Sequence, residues 1–271
     1  YYIDPSRKNV SRTDNVNATD EWKNEHLGIG DAIYRNYDSH IMQEGIFSQL
    51  EYTRNNYNIF VSGALNYSTY WRYDYLYYDS NNARSKNIGF IGGNIKTGAN
   101  YIINRQNNVF VNVGYNSKAP AFKSGAFMSA NSSNVTNKRA KNEKSLSAEI
   151  GYMYQNEYLN FKANAYYTKW MDKSMTKKGT LTEQYYVNMT GVGSRHMGLE
   201  FELHAMPVDW LETGAMFSLG DWCWDNNNAK GYVYNIYGEA LSTDGNITTP
   251  GAENHAWRKG IADEELSRNA V

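Results

Sequence analysis

The chain has 271 residues, enough for one large β domain or two small ones. Lysine plus arginine (27) and aspartate plus glutamate (28) leave a formal net charge of −1, which gives no electrostatic ground for a nucleic-acid partner. A single cysteine, Cys223, excludes an internal disulfide and a cysteine-rich metal site, and no apolar run reaches the roughly eighteen residues of a transmembrane helix.

In chain order, residues 1–37 are rich in Asn, Asp, Arg and Lys and read as a loop entered part-way. Strands are predicted at 42–53, 57–75, 87–104, 108–118, 143–154, 158–173, 184–206 and 210–224, with a weaker ninth near 230–237. Short polar turns join them in pairs: Arg54-Asn55-Asn56, Arg105-Gln106-Asn107, Gln155-Asn156-Glu157 and Pro207-Val208-Asp209. Arg54, Arg105, Asn156 and Pro207 follow one another at intervals of 51 residues. Longer loops, 76–86, 119–142 and 174–183, close the opposite ends. The segment 250–271 is a charged, atypical tail without strand alternation. Both ends read as cut, so an internal piece of a longer chain is expected.

The strands alternate. Tyr57, Ile59, Val61, Leu65 and Tyr67 point one way and Asn58, Ser62, Asn66 and Ser68 the other, because side chains in a strand have period two. Val109, Val111, Val113 and Tyr115 repeat the pattern against Asn112 and Asn116. So do Leu159, Phe161, Ala163, Ala165 and Tyr167 against Asn160, Lys162, Asn164 and Thr168, and Met197, Leu199, Phe201, Leu203 and Ala205 against Glu200, Glu202 and His204.

An oily strand face meets either a soluble core or a bilayer. Strands in soluble domains run about 5 to 6 residues, and these are far longer. Membrane strands of about 9 to 11 residues, with aromatic residues at both interfaces, tight turns at one end and long loops at the other, match the pattern. Tyr57 and Tyr67 share a face. At about 3.3 Å per residue and a tilt of about 40° they lie about 25 Å apart along the membrane normal, the height of an apolar band. Tyr52, Tyr101, Tyr154, Tyr158 and Trp210 would form the lower girdle, and Tyr67, Tyr115, Tyr167 and Phe217 the upper. Mean hydropathy of −0.71 is compatible, since lumen and loop residues dilute the lipid-facing half of each strand. The predicted fold is all-β, an antiparallel up-and-down transmembrane β-barrel, here a fragment of about eight or nine long strands.

Three segments carry a family resemblance. The strand from Val111 leading into Lys118-Ala119-Pro120-Ala121-Phe122 resembles the strand and Arg-Ala-Pro-x-Phe element of TonB-dependent outer-membrane receptors, with lysine in place of arginine. The stretch Asn142-Glu143-Lys144-Ser145 through Gly151-Tyr152 resembles a further strand of that family. Asn188-Met189-Thr190-Gly191, Ser194, Gly198-Leu199-Glu200-Phe201-Glu202 and Val208-Asp209-Trp210-Leu211 resemble another strand, its periplasmic turn and the next strand. The match covers roughly residues 85 to 250, the second half of the family's barrel. The Tyr and Asn richness, Gly238-Glu239-Ala240-Leu241 and Thr248-Thr249-Pro250-Gly251 look like receptors of the Bacteroidetes type.

The resemblance implies a bacterial outer-membrane protein in contact with lipid, part of a barrel of about 22 strands. A plug domain, absent from this sequence together with the terminal strands, would close that barrel. TonB would supply energy, a nutrient would be the ligand (ferric siderophore, haem, cobalamin or glycan), and a surface lipoprotein could act as a lid. An alternative is a soluble β-rich carbohydrate-binding protein, which would stay in solution without detergent.

Tyr70, Trp71, Arg72, Tyr73, Asp74, Tyr75, Tyr77 and Tyr78 crowd the top of one predicted strand and its outer loop. They read as a ligand-facing platform, because sugar rings and catechols stack on aromatic faces, or as an upper girdle with loop packing. Trp222, Trp224 and Asp225 carry the same two readings. Glu149, Lys162, Glu200 and Glu202, beside Arg195 or His196, read either as lumen groups facing a plug or as plain lumen solvation. The basic run Asn137-Lys138-Arg139-Ala140-Lys141 reads as an anion-binding loop or as a solvated one. His26, His40, His196, His204 and His255 have no metal-site spacing, and no nucleophile elbow, phosphate loop or catalytic carboxylate pair stands out. Neither an enzymatic activity nor a cofactor is expected.

Overall fold

The computed structural model describes residues 10–11, 26–27, 36–75, 80–128, 134, 136–137, 139–180, 184–225 and 229–235. Two short strands, β1 (Val10–Ser11) and β2 (His26–Leu27), pair with each other. Eight long strands follow: β3 (Tyr37–Arg54), β4 (Tyr57–Asp74), β5 (Ile88–Ile102), β6 (Asn107–Lys118), β7 (Glu143–Gln155), β8 (Leu159–Thr180), β9 (Gln184–Val208) and β10 (Leu211–Trp224). A short β11 (Lys230–Asn235) pairs with the upper half of β9, on the edge whose lower half holds β10. Each long strand is antiparallel to its sequence neighbour, giving one open sheet in the order β3 to β10. Tyr77, Tyr78, Lys138, His255, the segments at 238–241 and 248–251 and the tail at 250–271 lie outside the described residues.

The tight turns are built from asparagine chemistry. Asn55 takes φ 50°, the left-handed conformation that a two-residue hairpin needs and that asparagine tolerates. The Asn104 side-chain oxygen accepts from the backbone N–H of Gln106 and Asn107 at 2.9 and 3.0 Å. Asn156 does the same for Tyr158 and Leu159 at 2.9 and 2.7 Å. Such local bonds compete with the ladder and end the strands there.

Register places the alternating residues on common faces. Tyr57 pairs with Tyr101, Tyr101 with Val109, Val109 with Tyr152, Tyr152 with Ala163, Ala163 with Phe201 and Phe201 with Phe217. This row begins beside a tight turn in β4 and ends well above the start of β10, the stagger that tilted barrel strands require. Its face is apolar and open: Leu50 is 75% exposed and Ile150 61%. The other face carries Asn, Ser, Lys and Glu.

Two predicted boundaries move. β3 begins at Tyr37 rather than 42, because Tyr37 to Ile41 pair in register with Tyr70 to Asp74. The predicted outer loop 174–183 is largely strand: β8 runs to Thr180, pairing Met175 with Met189 and Lys177 with Val187. The local sequence Lys177-Lys178-Gly179-Thr180 lacks apolar alternation, and its order is tertiary. Asp172 at φ 57° and Gly191 at φ 78° sit where register slips between β8 and β9, re-aiming the strands above. Val187, Met189, Val192 and Val233 then form a small core that Met175, Tyr185 and Trp224 flank.

A second core lies over the polar face of β4 and β5. The β6–β7 connection folds back so that Ala126 and Phe127 bury against Tyr70 and Phe90, with Ala119 and Phe122 alongside. Asn137 anchors this connection by donating to the Gly125 carbonyl at 2.9 Å, and Asn188 of β9 donates to the Ser124 carbonyl at 3.0 Å.

Candidate ligand site on the polar face

Alternation divides the aromatic cluster at the top of β4. Tyr70 and Arg72 point to the polar face, where they are 5% and 2% exposed. Tyr70 donates to the Pro120 carbonyl at 3.1 Å, which ties it to the Ala119-Pro120-Ala121-Phe122 element. The Arg72 guanidinium bonds Asp74 at 3.3 Å and Asn134 at 2.9 Å, and stands 4.4 Å from the centre of the Tyr37 ring. Trp71 and Tyr73 point to the opposite face. Trp71 stacks on His40 at 5.0 Å, with the Arg84 guanidinium 5.5 Å from its ring centre. Tyr73 packs on Tyr75 at 4.9 Å, and Tyr75 donates to Asp38 at 2.7 Å. By accepting that hydrogen bond, the Asp38 carboxylate holds the Tyr75 phenol above its ordinary range.

Trp222 and Trp224 both face the polar side, opposite His196 and Ser194. Trp222 is 63% exposed, stacks against His196 at 6.0 Å and donates from Nε1 to the Tyr166 hydroxyl of β8 at 3.0 Å. Trp224 is half-buried beside the upper core. Lys162, Glu149, Glu200 and Glu202 share this face. Lys162 pairs with Glu202 at 3.3 Å, and Asn164 donates to Glu200 at 3.1 Å. Arg195 is on the apolar face, paired with Asp221 at 3.1 Å.

Sequence reasoning missed Tyr166. Its signal was an aromatic residue at a polar-face position, between Asn164 and Thr168. The structure explains how it fits: Tyr166 lies opposite Gly198, which lies opposite Gly220. A Cβ on Gly198 would come 2.8 Å from the Tyr166 hydroxyl, and one on Gly220 would come 2.8 Å from the Trp222 indole. The two glycines let both rings lie down on the sheet. Beside them a groove of about 320 Å³ runs along the polar face, lined by Lys96, Glu149, Asn164, Tyr166, Thr168 and Glu200 among others. Among the described residues no group of three or more His, Cys, Asp or Glu is placed to hold a metal ion.

A tilted antiparallel sheet with an open apolar face, aromatic rows and a polar opposite face defines an outer-membrane β-barrel protein. The family model described as "TonB dependent receptor-like, beta-barrel" matches residues 2–259, and the chain belongs to that family of bacterial outer-membrane receptors. No curated protein matches the chain. Among solved structures it resembles the "Copper transporter OprC" at 15% identity and a TM-score of 0.55, over 74% of this chain and 34% of that one. The chain thus spans about a third of that transporter's length, and the likeness is one of fold. The family is one of receptors and transporters rather than enzymes.

Proposed function

We propose that this chain is the barrel part of a receptor that actively imports a scarce nutrient across the outer membrane. The polar face then lines the lumen, a plug domain of the longer protein closes it, and TonB supplies energy. The observation that carries this reading is the two-sided sheet: an open apolar face with tyrosine rows, backed by a face of Asn, Lys and Glu. In this reading Lys162 and Glu202 meet the plug, while Glu149 and Glu200 border the groove beside Tyr166. Trp222 and Trp224 are the aromatic candidates best placed for cargo. Tyr70 and Arg72 hold the β6–β7 connection, and Trp71, Tyr73 and Tyr75 stand on the outer side of the rim, where a surface lipoprotein lid would meet them. Copper transport belongs to the OprC name, and a fold likeness at 15% identity does not carry a cargo across. Ferric siderophore, haem, cobalamin and glycan are the cargo classes that such a receptor would take.

The test is fractionation and deletion with the full-length gene. Recovery of the native protein in the outer membrane, together with a growth defect on one limiting nutrient that the intact gene restores, supports the receptor. A protein that stays in solution without detergent would sink it.

A further inference from the structure

We propose that the plate formed by Tyr166, His196 and Trp222, with the groove beside it, binds a neutral carbohydrate. This rests on the receptor reading above and names the chemistry of its cargo. Three observations on the polar face favour it.

The first is shape. Trp222 lies over Gly220 and Tyr166 over Gly198, and the Trp222 and His196 planes are only 27° from parallel, so these two rings do not face a common point as the walls of a cage would. A cage, with rings facing a common point, would suit an ammonium ion. A flat plate suits the C–H face of a sugar ring.

The second is fixation. The hydrogen bond from Trp222 Nε1 to the Tyr166 hydroxyl, at 3.0 Å, joins the rings across β9 and holds the exposed indole in place. A ring so fixed loses little freedom when a ligand stacks on it. Nothing in the packing of β8 to β10 needs Trp222 there, since it remains 63% exposed.

The third is charge. At the edge of the plate Asn164 donates to Glu200 at 3.1 Å, and Glu149 is opposite Tyr166. Carboxylates accept from hydroxyl groups, and amides both accept and donate. Among the described residues that line the groove, Glu149 and Glu200 face a single cation, Lys96, whose ammonium lies 5.9 Å from the Phe60 ring centre. An anionic ferric chelate would meet net negative charge there, whereas a neutral polyol would find an apolar plate edged with hydrogen-bonding groups.

The experiment uses the full-length receptor, purified from outer membranes in detergent. Tryptophan fluorescence and calorimetry follow titration with a panel of neutral oligosaccharides built from glucose, xylose, mannose, galactose and fructose, with ferric citrate and choline as anionic and cationic comparisons. A neutral oligosaccharide should bind saturably. Trp222→Ala should weaken it at least about tenfold, while Trp222→Phe, which keeps a stacking face, should restore part of the loss. Glu200→Gln should weaken it by a smaller factor of about three. Heat-modifiable migration on gels reports for each variant that the barrel is folded. The proposal is overturned if no neutral oligosaccharide binds, if binding survives Trp222→Ala unchanged, or if ferric citrate or choline is the species whose binding that variant abolishes. Outer-membrane recovery is scored separately, so a receptor that takes a different cargo is told apart from a protein that is no receptor.

Discussion

Two regions of the polar face are rich in aromatic residues, and they are finished in opposite ways. Over β4 and β5, Tyr70 and Phe90 are sealed by Phe122, Ala126 and Phe127 of the folded-back β6–β7 connection, with Arg72 and Asp74 buried beside them. Over β8 to β10, Tyr166 and Trp222 lie on glycines, Tyr166 half-buried and Trp222 exposed. The first region uses its rings as a core and holds a loop; the second leaves the Trp222 indole uncovered. Aromatic density alone therefore does not mark a site. What separates the two is whether another segment of the chain covers the rings.

The largest effects should come from the sealed region. Phe127→Ala empties a fully buried position and should cost about 3–5 kcal/mol in a urea titration of the refolded full-length receptor. A cost under about 1 kcal/mol would show that the connection does not hold the core described. Arg72→Ala removes one partner of a buried pair and should cost about 3 kcal/mol or more, because a buried charge is left with fewer partners.

Next come two adjacent positions beneath the open region. Leu199→Arg places a charge on the apolar face and should cost about 2–4 kcal/mol near the bilayer midplane, while Glu200→Arg, on the lumenal face, should leave stability nearly unchanged. Equal effects at the two sites would break the assignment of faces. Gly198→Ala should cost about 1–3 kcal/mol, since a Cβ there meets both the Leu219 carbonyl and the Tyr166 hydroxyl. The smallest effect should be that of Trp222→Ala, under about 1 kcal/mol, because an exposed ring removed from a surface leaves no cavity. A large loss of stability there would mean that the open plate is a second core after all.

Much of the architecture is legible in the residues. Val109, Val111, Val113 and Tyr115 against Asn112 and Asn116 give β6 its faces, and the strands predicted at 108–118, 143–154 and 210–224 lie within about two residues of those observed. The placement of Glu149, Glu200 and Glu202 on one face follows from the same period. Tyr166 escapes a pattern reading because it breaks the polar run it belongs to. The residues from Tyr70 to Tyr75 look like one group in the sequence, although period two sends Tyr70 and Arg72 one way and Trp71 and Tyr73 the other.

By itself the sequence determined the strands, their faces, the tight turns and the medium each face meets, because period-two alternation and asparagine turn chemistry are local. Only the tertiary structure decided which aromatic residues are covered. The path of the β6–β7 connection over β4 and β5, the pairing of β9 with β8 on one edge and β11 on the other, and the register that brings Gly198 beneath Tyr166 and Trp222 opposite His196 all join residues distant in the chain. Contacts of that kind depend on packing across strands, and no local pattern encodes them.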